Sequence, residues 1–375
     1  MKVLVVGGGV IGLSIAWRTA TQGIDVSLVD PAPGSGASWV AGGMLAPVAE
    51  AYRGEEALTR LGLASVARWP GFVADLATAS GRDPGYSEQG TLVIARDTDD
   101  AGELHDLLAH QQAAGLTVEH VTSREARRLE PALASSIRGG LWLPDDHQVD
   151  NRLLLQALLE ACTRAGVGLV PEPATLVRPT GVELASGVVI DADAVVLASG
   201  AAAPPILVDG TQHAVPVRPV KGQIVRVRAT ANAVFPTRTV RGLDVYVIPR
   251  PHGEIAIGAT SEEKGFDTTV TAGAVHELLR DAWELLPGLA EAEFIEAIAG
   301  LRPGTPDNAP MIGRWGGAAD VGGGPLLAMG HYRHGVLLAP VTAEAIVGAL
   351  TGTGTPDLDA ILQPFDPGRL TAVAA

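Results

Sequence analysis

Apolar positions along the chain fall into two textures. In the first, short unbroken runs end at glycine or an acid: residues 2–6 before Gly7, Val26 to Val29 before Asp30, Asp193 to Ser199 before Gly200, and Pro325 to Met329 before Gly330. Such runs predict strands buried on both faces, as in a parallel sheet. Helical patterns separate them: one to about Gly23, a Leu-rich one over 151–165 with Asp150 as N-cap and Gly166 as stop, and one from near Val336 to about Leu350. In the second texture polar and apolar residues alternate. Gln223 to Arg228 reads as a half-exposed strand, residues 87–95 give another, and 245–249 with 254–257 flank the turn Arg250-Pro251-His252-Gly253 as a hairpin.

The two textures predict an α/β chain: a doubly wound, Rossmann-like domain from three segments, 1–82, 145–213 and 299–375. Into it is inserted a second domain on an antiparallel or mixed β-sheet with helices (α+β), from 83–144 and 214–298. The tail after Thr351 is expected to be a short extension. A length of 375 residues fits two cores better than one.

Composition narrows the function. With 47% hydrophobic and 18% charged residues the chain is a compact globular type. A net charge of -15, from 27 Lys+Arg and 42 Asp+Glu, argues against nucleic acid, whose phosphates need a basic patch. The apolar stretch near 188–208 is broken by Asp191, Asp193 and Pro204-Pro205, so no membrane span is expected. Met1-Lys2 leads straight into a strand pattern with no targeting segment, which predicts a cytoplasmic protein. The single cysteine, Cys162, excludes an internal disulfide and reads as a core filler among leucines and alanines.

Candidate chemistry begins at Gly7-x-Gly9-x-x-Gly12. The first glycine allows the tight turn, the second lets the backbone approach a pyrophosphate, and the third permits close helix–strand packing. Val10 and Ile11 open the helix, whose N-terminal amides and dipole favour an anion. Asp30, followed by Pro31, stands where an acid can accept from ribose hydroxyls and would repel a 2′-phosphate. A dinucleotide is the expected ligand, against a glycine-rich turn with none. The fingerprint does not separate NAD from FAD. The next loop, including Ala37, Ser38, Gly42, Gly43 and Met44, is rich in small residues and suits a long cofactor; an ordinary loop is the alternative. No zinc-ligand spacing accompanies His331 and His334, near which the only acid is Asp320, and no metal is expected.

In order along the chain stand "VVGGGVIG", Asp30, "SWVAGGMLAP", "VVLASG", "PVKGQ", "YVIPRPHGEIAIGAT", "AGLRPGTPDNAPMIG" and "GHYRHGVLLAP". This set resembles the FAD-dependent D-amino-acid oxidase/sarcosine oxidase superfamily, most of all the glycine oxidases of thiamine biosynthesis. The resemblance implies that the Arg of "GLRP", Arg302, grips the substrate carboxylate, because the guanidinium fork matches it in geometry and charge. It implies that Tyr246 adds a bond to that carboxylate, and that Arg333 lies near substrate and flavin. Cofactor contacts are implied at Ala174, Ser199 and Gly200, and along His331, Tyr332, Arg333, His334, Gly335, Val336 and Leu337, where backbone N–H groups face the flavin pyrimidine edge. FAD is expected to be non-covalent, since Cys162 reads as buried and lies far from the C-terminal position of the cysteine that links flavin in sarcosine oxidases. Two departures bear on the pocket: Ser261 stands where some glycine-preferring relatives have Met, and Asp244 where a His can occur.

The implied reaction takes glycine, sarcosine or D-alanine: hydride leaves Cα for flavin N5, an imine forms, and O2 is reduced to H2O2. The imine hydrolyses to glyoxylate or another 2-oxo acid and ammonia, or passes to thiazole synthase. Family members are often multimeric, so a homo-oligomer is implied. Two alternatives stand beside this: a D-amino-acid or proline-type dehydrogenase that passes electrons to a carrier, and a non-catalytic flavin-binding subunit.

Overall fold

A computed structural model describes residues 1–316 and 323–371. Its centre is a six-stranded sheet in the order Met311–Arg314, Leu326–Met329, Ala194–Leu197, Lys2–Val6, Asp25–Val29 and Gly168–Val170, parallel except at the first pair. The fully apolar runs occupy its middle, as a sheet covered on both faces requires. Helices Val10–Ala20, Asn151–Arg164 and Ala339–Thr351 cover one face. A five-stranded sheet with strands within 174–191 and 206–213 contributes to the core on the other.

The ends of Asn151–Arg164 follow the sequence. The Asp150 carboxylate accepts from the Arg152 and Leu153 amides, and Gly166 follows the C-cap in the left-handed region at φ 78°. The Cys162 thiol is buried against the Leu13 carbonyl, and burial pushes it up to about 12, which keeps it protonated.

The second large sheet has eight strands and is mixed. Its order is Glu293–Gly304, Arg218–Arg228, Glu254–Gly258, Tyr246–Pro249, Thr239–Arg241, Thr91–Ile94, Gly140–Leu143 and Glu119–Val121. The expected hairpin is present, pairing Tyr246 with Gly258.

Three expectations are corrected. Gln223 to Arg228 is not half-exposed: the strand lies between two neighbours and is buried through Val227, because its polar members are paired inside. Arg226, 0% exposed, pairs with Glu254 and donates to Asn151 Oδ1. The tail after Thr351 is not a bare extension, since Pro356–Leu362 and Gly368–Thr371 are helical and Phe365 is buried in the main core. The helix expected from Val336 starts at Ala339, preceded by a 3-10 turn over Tyr332–His334. Pro340 fixes that start, because proline lacks an N–H and is accommodated only in a helix's first turn.

No helix among the described residues is long and apolar enough to cross a membrane.

Candidate functional site

A cavity of about 600 Å³ runs from the glycine-rich turn at Gly7 to the end of the eight-stranded sheet at Arg302. At one end the close approaches are built by glycine. A Cβ on Gly7 would meet the Ala198 carbonyl at 2.4 Å, and one on Gly12 would collide with the Gly7 carbonyl. Gly9 is the N-cap of Val10–Ala20 and has no side-chain cap bond, so the helix opens onto the cavity. Val10 donates to Ser38 Oγ at 3.0 Å, which ties the second loop to the helix start. The Asp30 carboxylate accepts from the Gly8 amide at 2.6 Å and the Ala32 amide at 2.7 Å and faces the cavity.

Most of the expected cofactor residues line this space: Gly7, Gly9, Val10, Ile11, Asp30, Ala37, Ser38, Gly42, Gly43, Met44, Ser199, Gly200 and His331 through Leu337. Three do not. Gly12 serves the packing of helix on strand. Pro31 is exposed. Ala174 begins a strand of the five-stranded sheet, opposite Leu184, and packs toward that sheet's core.

At the other end Arg302 lies on the edge strand opposite Val220. Its Nη1 donates to the Thr260 carbonyl at 3.0 Å and touches the Lys221 carbonyl at 3.5 Å. Among the described residues no carboxylate pairs with it. Tyr246 stands beside it, its ring packed against Gly42 and Gly258; a Cβ on Gly258 would come within 2.5 Å of the ring. Burial raises the Tyr246 phenol, with the Arg302 charge pulling the other way, so the hydroxyl remains a donor at neutral pH.

Two wall residues went unnoticed in the sequence. Glu50 accepts from Arg241 Nη1 at 3.2 Å and Arg333 Nε at 3.2 Å, and stands 3.3 Å from His334 Nδ1. Burial raises its carboxyl, but the guanidinium charges around it, Arg241, Arg333 and Arg302, help hold it below the usual range. Glu50 follows the "GGMLAP" motif by three residues and Arg241 precedes Tyr246 by five; adjacency to a motif was the available signal. Arg333 is thus engaged with Glu50 and also with Glu55 Oε2. Burial pushes His331 down to about 3 and His334 to about 4, so both imidazoles are neutral. His331 Nε2 meets Thr342 Oγ1 at 3.0 Å, and Asp320 lies outside the described residues. Ser261 lines the cavity, and Asp244 lies at its exposed rim, bonded to Arg96 at 3.2 Å.

The chain as a whole has counterparts among known proteins. Residues 2–349 match the family described as DAO, FAD dependent oxidoreductase. The chain belongs to this family. Glycine oxidase of Geobacillus kaustophilus is 34% identical over 91% of this chain and 90% of its own length. The crystal structure of glycine oxidase from the same organism superposes with a TM-score of 0.86 at 32% identity, covering 97% of this chain and 98% of that one. A bifunctional protein ThiO/ThiG of Trichormus variabilis is 33% identical over 92% of this chain, which spans 52% of that longer protein. As a DAO-family member the chain is an FAD-dependent amino-acid oxidoreductase. The glycine cradle, the open helix start and the small-residue loop fit its cofactor, and these are the residues that would hold it.

Proposed function

We propose that this enzyme oxidises the amine-bearing carbon of a small amino acid, with glycine, sarcosine and D-alanine as its substrate class. The observation that carries the reading is Arg302: a half-buried guanidinium on the cavity wall whose described partners are backbone carbonyls alone. A substrate carboxylate supplies the missing counter-charge, and the fork geometry fixes its plane. Tyr246, held between two glycines, donates a further bond to it. Bound FAD supplies the two-electron acceptor, and its reoxidation by O2 yields H2O2. No wall residue is assigned as general base, because the Cα hydrogen leaves as hydride and the amine nitrogen supplies the electron pair of the new C=N bond. The amine therefore reacts in its neutral form, the one with a free lone pair.

The product imine hydrolyses to the 2-oxo acid and ammonia. Its hand-off to thiazole formation in thiamine biosynthesis is supported by the relative that joins ThiO to ThiG in one chain.

The test uses the purified flavoprotein. Glycine, sarcosine and D-alanine are added without oxygen, flavin absorbance is followed, and peroxide is measured after air is admitted. Bleaching followed by peroxide is expected. Bleaching without peroxide would make the enzyme a dehydrogenase, and no bleaching with any amine would end the proposal.

A further inference from the structure

Beside Arg302 the cavity wall carries a second set of charges that the carboxylate clamp does not use. Arg241 and Arg333 both reach the cavity, and either could hold an anion there. Each is already engaged. Glu50 takes Arg241 through one carboxylate oxygen and Arg333 through the other, both at 3.2 Å. Arg241 also donates to the Tyr52 hydroxyl at 3.1 Å, and Arg333 to Glu55. Two guanidinium groups are balanced by two carboxylates, and the neighbouring His334 is neutral. Arg302 is then the one unbalanced cation on this wall among the described residues.

We propose that Glu50 is a specificity-determining residue: by holding Arg241 and Arg333 as its own counter-ions, it leaves the cavity a single free positive charge and restricts it to amino acids with one carboxylate. This rests on Arg302 being the carboxylate clamp. The physical ground is the cost of unpaired charge in a confined space. A substrate carrying a second carboxylate must bring it against Glu50, where like charges repel, or displace Glu50 from both arginines. Without the Glu50 charge, Arg241 and Arg333 lack their shared partner, and a second substrate carboxylate restores it. The device is selection by repulsion at a wall position, separate from the grip on the first carboxylate.

The matched probes are sarcosine and iminodiacetate, which differ by one carboxylate on the N-methyl group, and acetate and malonate as unreactive ligands. Binding of acetate and malonate is read from the perturbation of flavin absorbance; sarcosine and iminodiacetate give kcat/KM. In Glu50→Gln the preference for malonate over acetate, and for iminodiacetate over sarcosine, is expected to rise on the order of tenfold, the change worth about 1.4 kcal/mol. Glu55→Gln removes Arg333's outer carboxylate and is expected to shift both ratios the same way by less, since Glu55 is the more exposed of the two. If Glu50→Gln loses its flavin, Glu55→Gln decides alone. Ratios unchanged in the flavin-bearing variants, with acetate still bound by wild type, overturn the role of Glu50 and leave the Arg302 reading standing. Failure of wild type to bind acetate overturns both.

Discussion

Arg302 lies flat over Gly222, its diagonal neighbour on the adjacent strand, and a Cβ built on Gly222 would stand 2.5 Å from the guanidinium carbon. The strand pair Arg218–Arg228 and Glu293–Gly304 therefore does more than carry the arginine. A bare backbone opposite it lets the guanidinium settle against the sheet and reach the Thr260 carbonyl. Gly222→Ala is expected to push the fork away from that carbonyl. KM for small amino acids should rise severalfold or more, with flavin content and melting temperature close to wild type. A variant whose KM matches wild type would show that Arg302 does not need this seat.

Arg302→Ala tests the clamp itself. Removing one partner of a desolvated charge pair costs about 2–5 kcal/mol. Acetate or glycine affinity should fall accordingly, while the flavin spectrum stays native. Steady-state kinetics with glycine equal to wild type would remove Arg302 from the site.

Much of this arrangement was legible before the fold. The parallel strands announced themselves as unbroken apolar runs, since a sheet covered on both faces leaves no position for a polar residue. Asp150 and Gly166 marked helix ends because cap chemistry is local. What stayed hidden was set by long-range pairing. Arg226 looked like the solvent side of an alternating strand, but its partners Glu254 and Asn151 are 28 and 75 residues away. Glu50 drew no notice, because Arg241 and Arg333 lie 191 and 283 residues further on. A periodicity reports which face a side chain takes; it carries no information on who waits there.

Asp146 gives a pH dependence. Its side chain is buried beneath the turn that carries Glu50 and accepts from the Val48 and Ala49 amides at 2.9 and 2.7 Å. Burial pushes its pKa up to about 7, against those two hydrogen bonds. The folded protein thus holds this proton more tightly than the unfolded chain does. The Asp146 contribution to stability is complete below the ordinary carboxylate range and is lost as pH rises toward 7. Asp146→Asn should flatten the decline of melting temperature between pH 5 and 8 relative to wild type. Parallel profiles for the two proteins would show that Asp146 is ionised throughout.

Asn151, the first residue of the helix Asn151–Arg164, ties the segment carrying Ser38 to the eight-stranded sheet. Its Nδ2 donates to the Ser38 and Trp39 carbonyls, both at 2.8 Å, and its Oδ1 accepts from the buried Arg226 at 3.1 Å. The loop it holds is the one whose Ser38 hydroxyl accepts from the Val10 amide at the helix start. Asn151→Ala would leave two carbonyls and one guanidinium nitrogen without this partner, in a place water does not readily reach. A buried group stranded in this way costs about 1–3 kcal/mol. Denaturant titration should show a loss of that order, and flavin should dissociate more readily because the loop facing it is no longer tied down. Asn151→Asp separates the two effects. It keeps the acceptor for Arg226 but cannot donate to the carbonyls, so its flavin affinity should fall with that of Asn151→Ala while more of the stability is retained. Equal flavin affinity in wild type and both variants would mean that the loop holds its shape without Asn151.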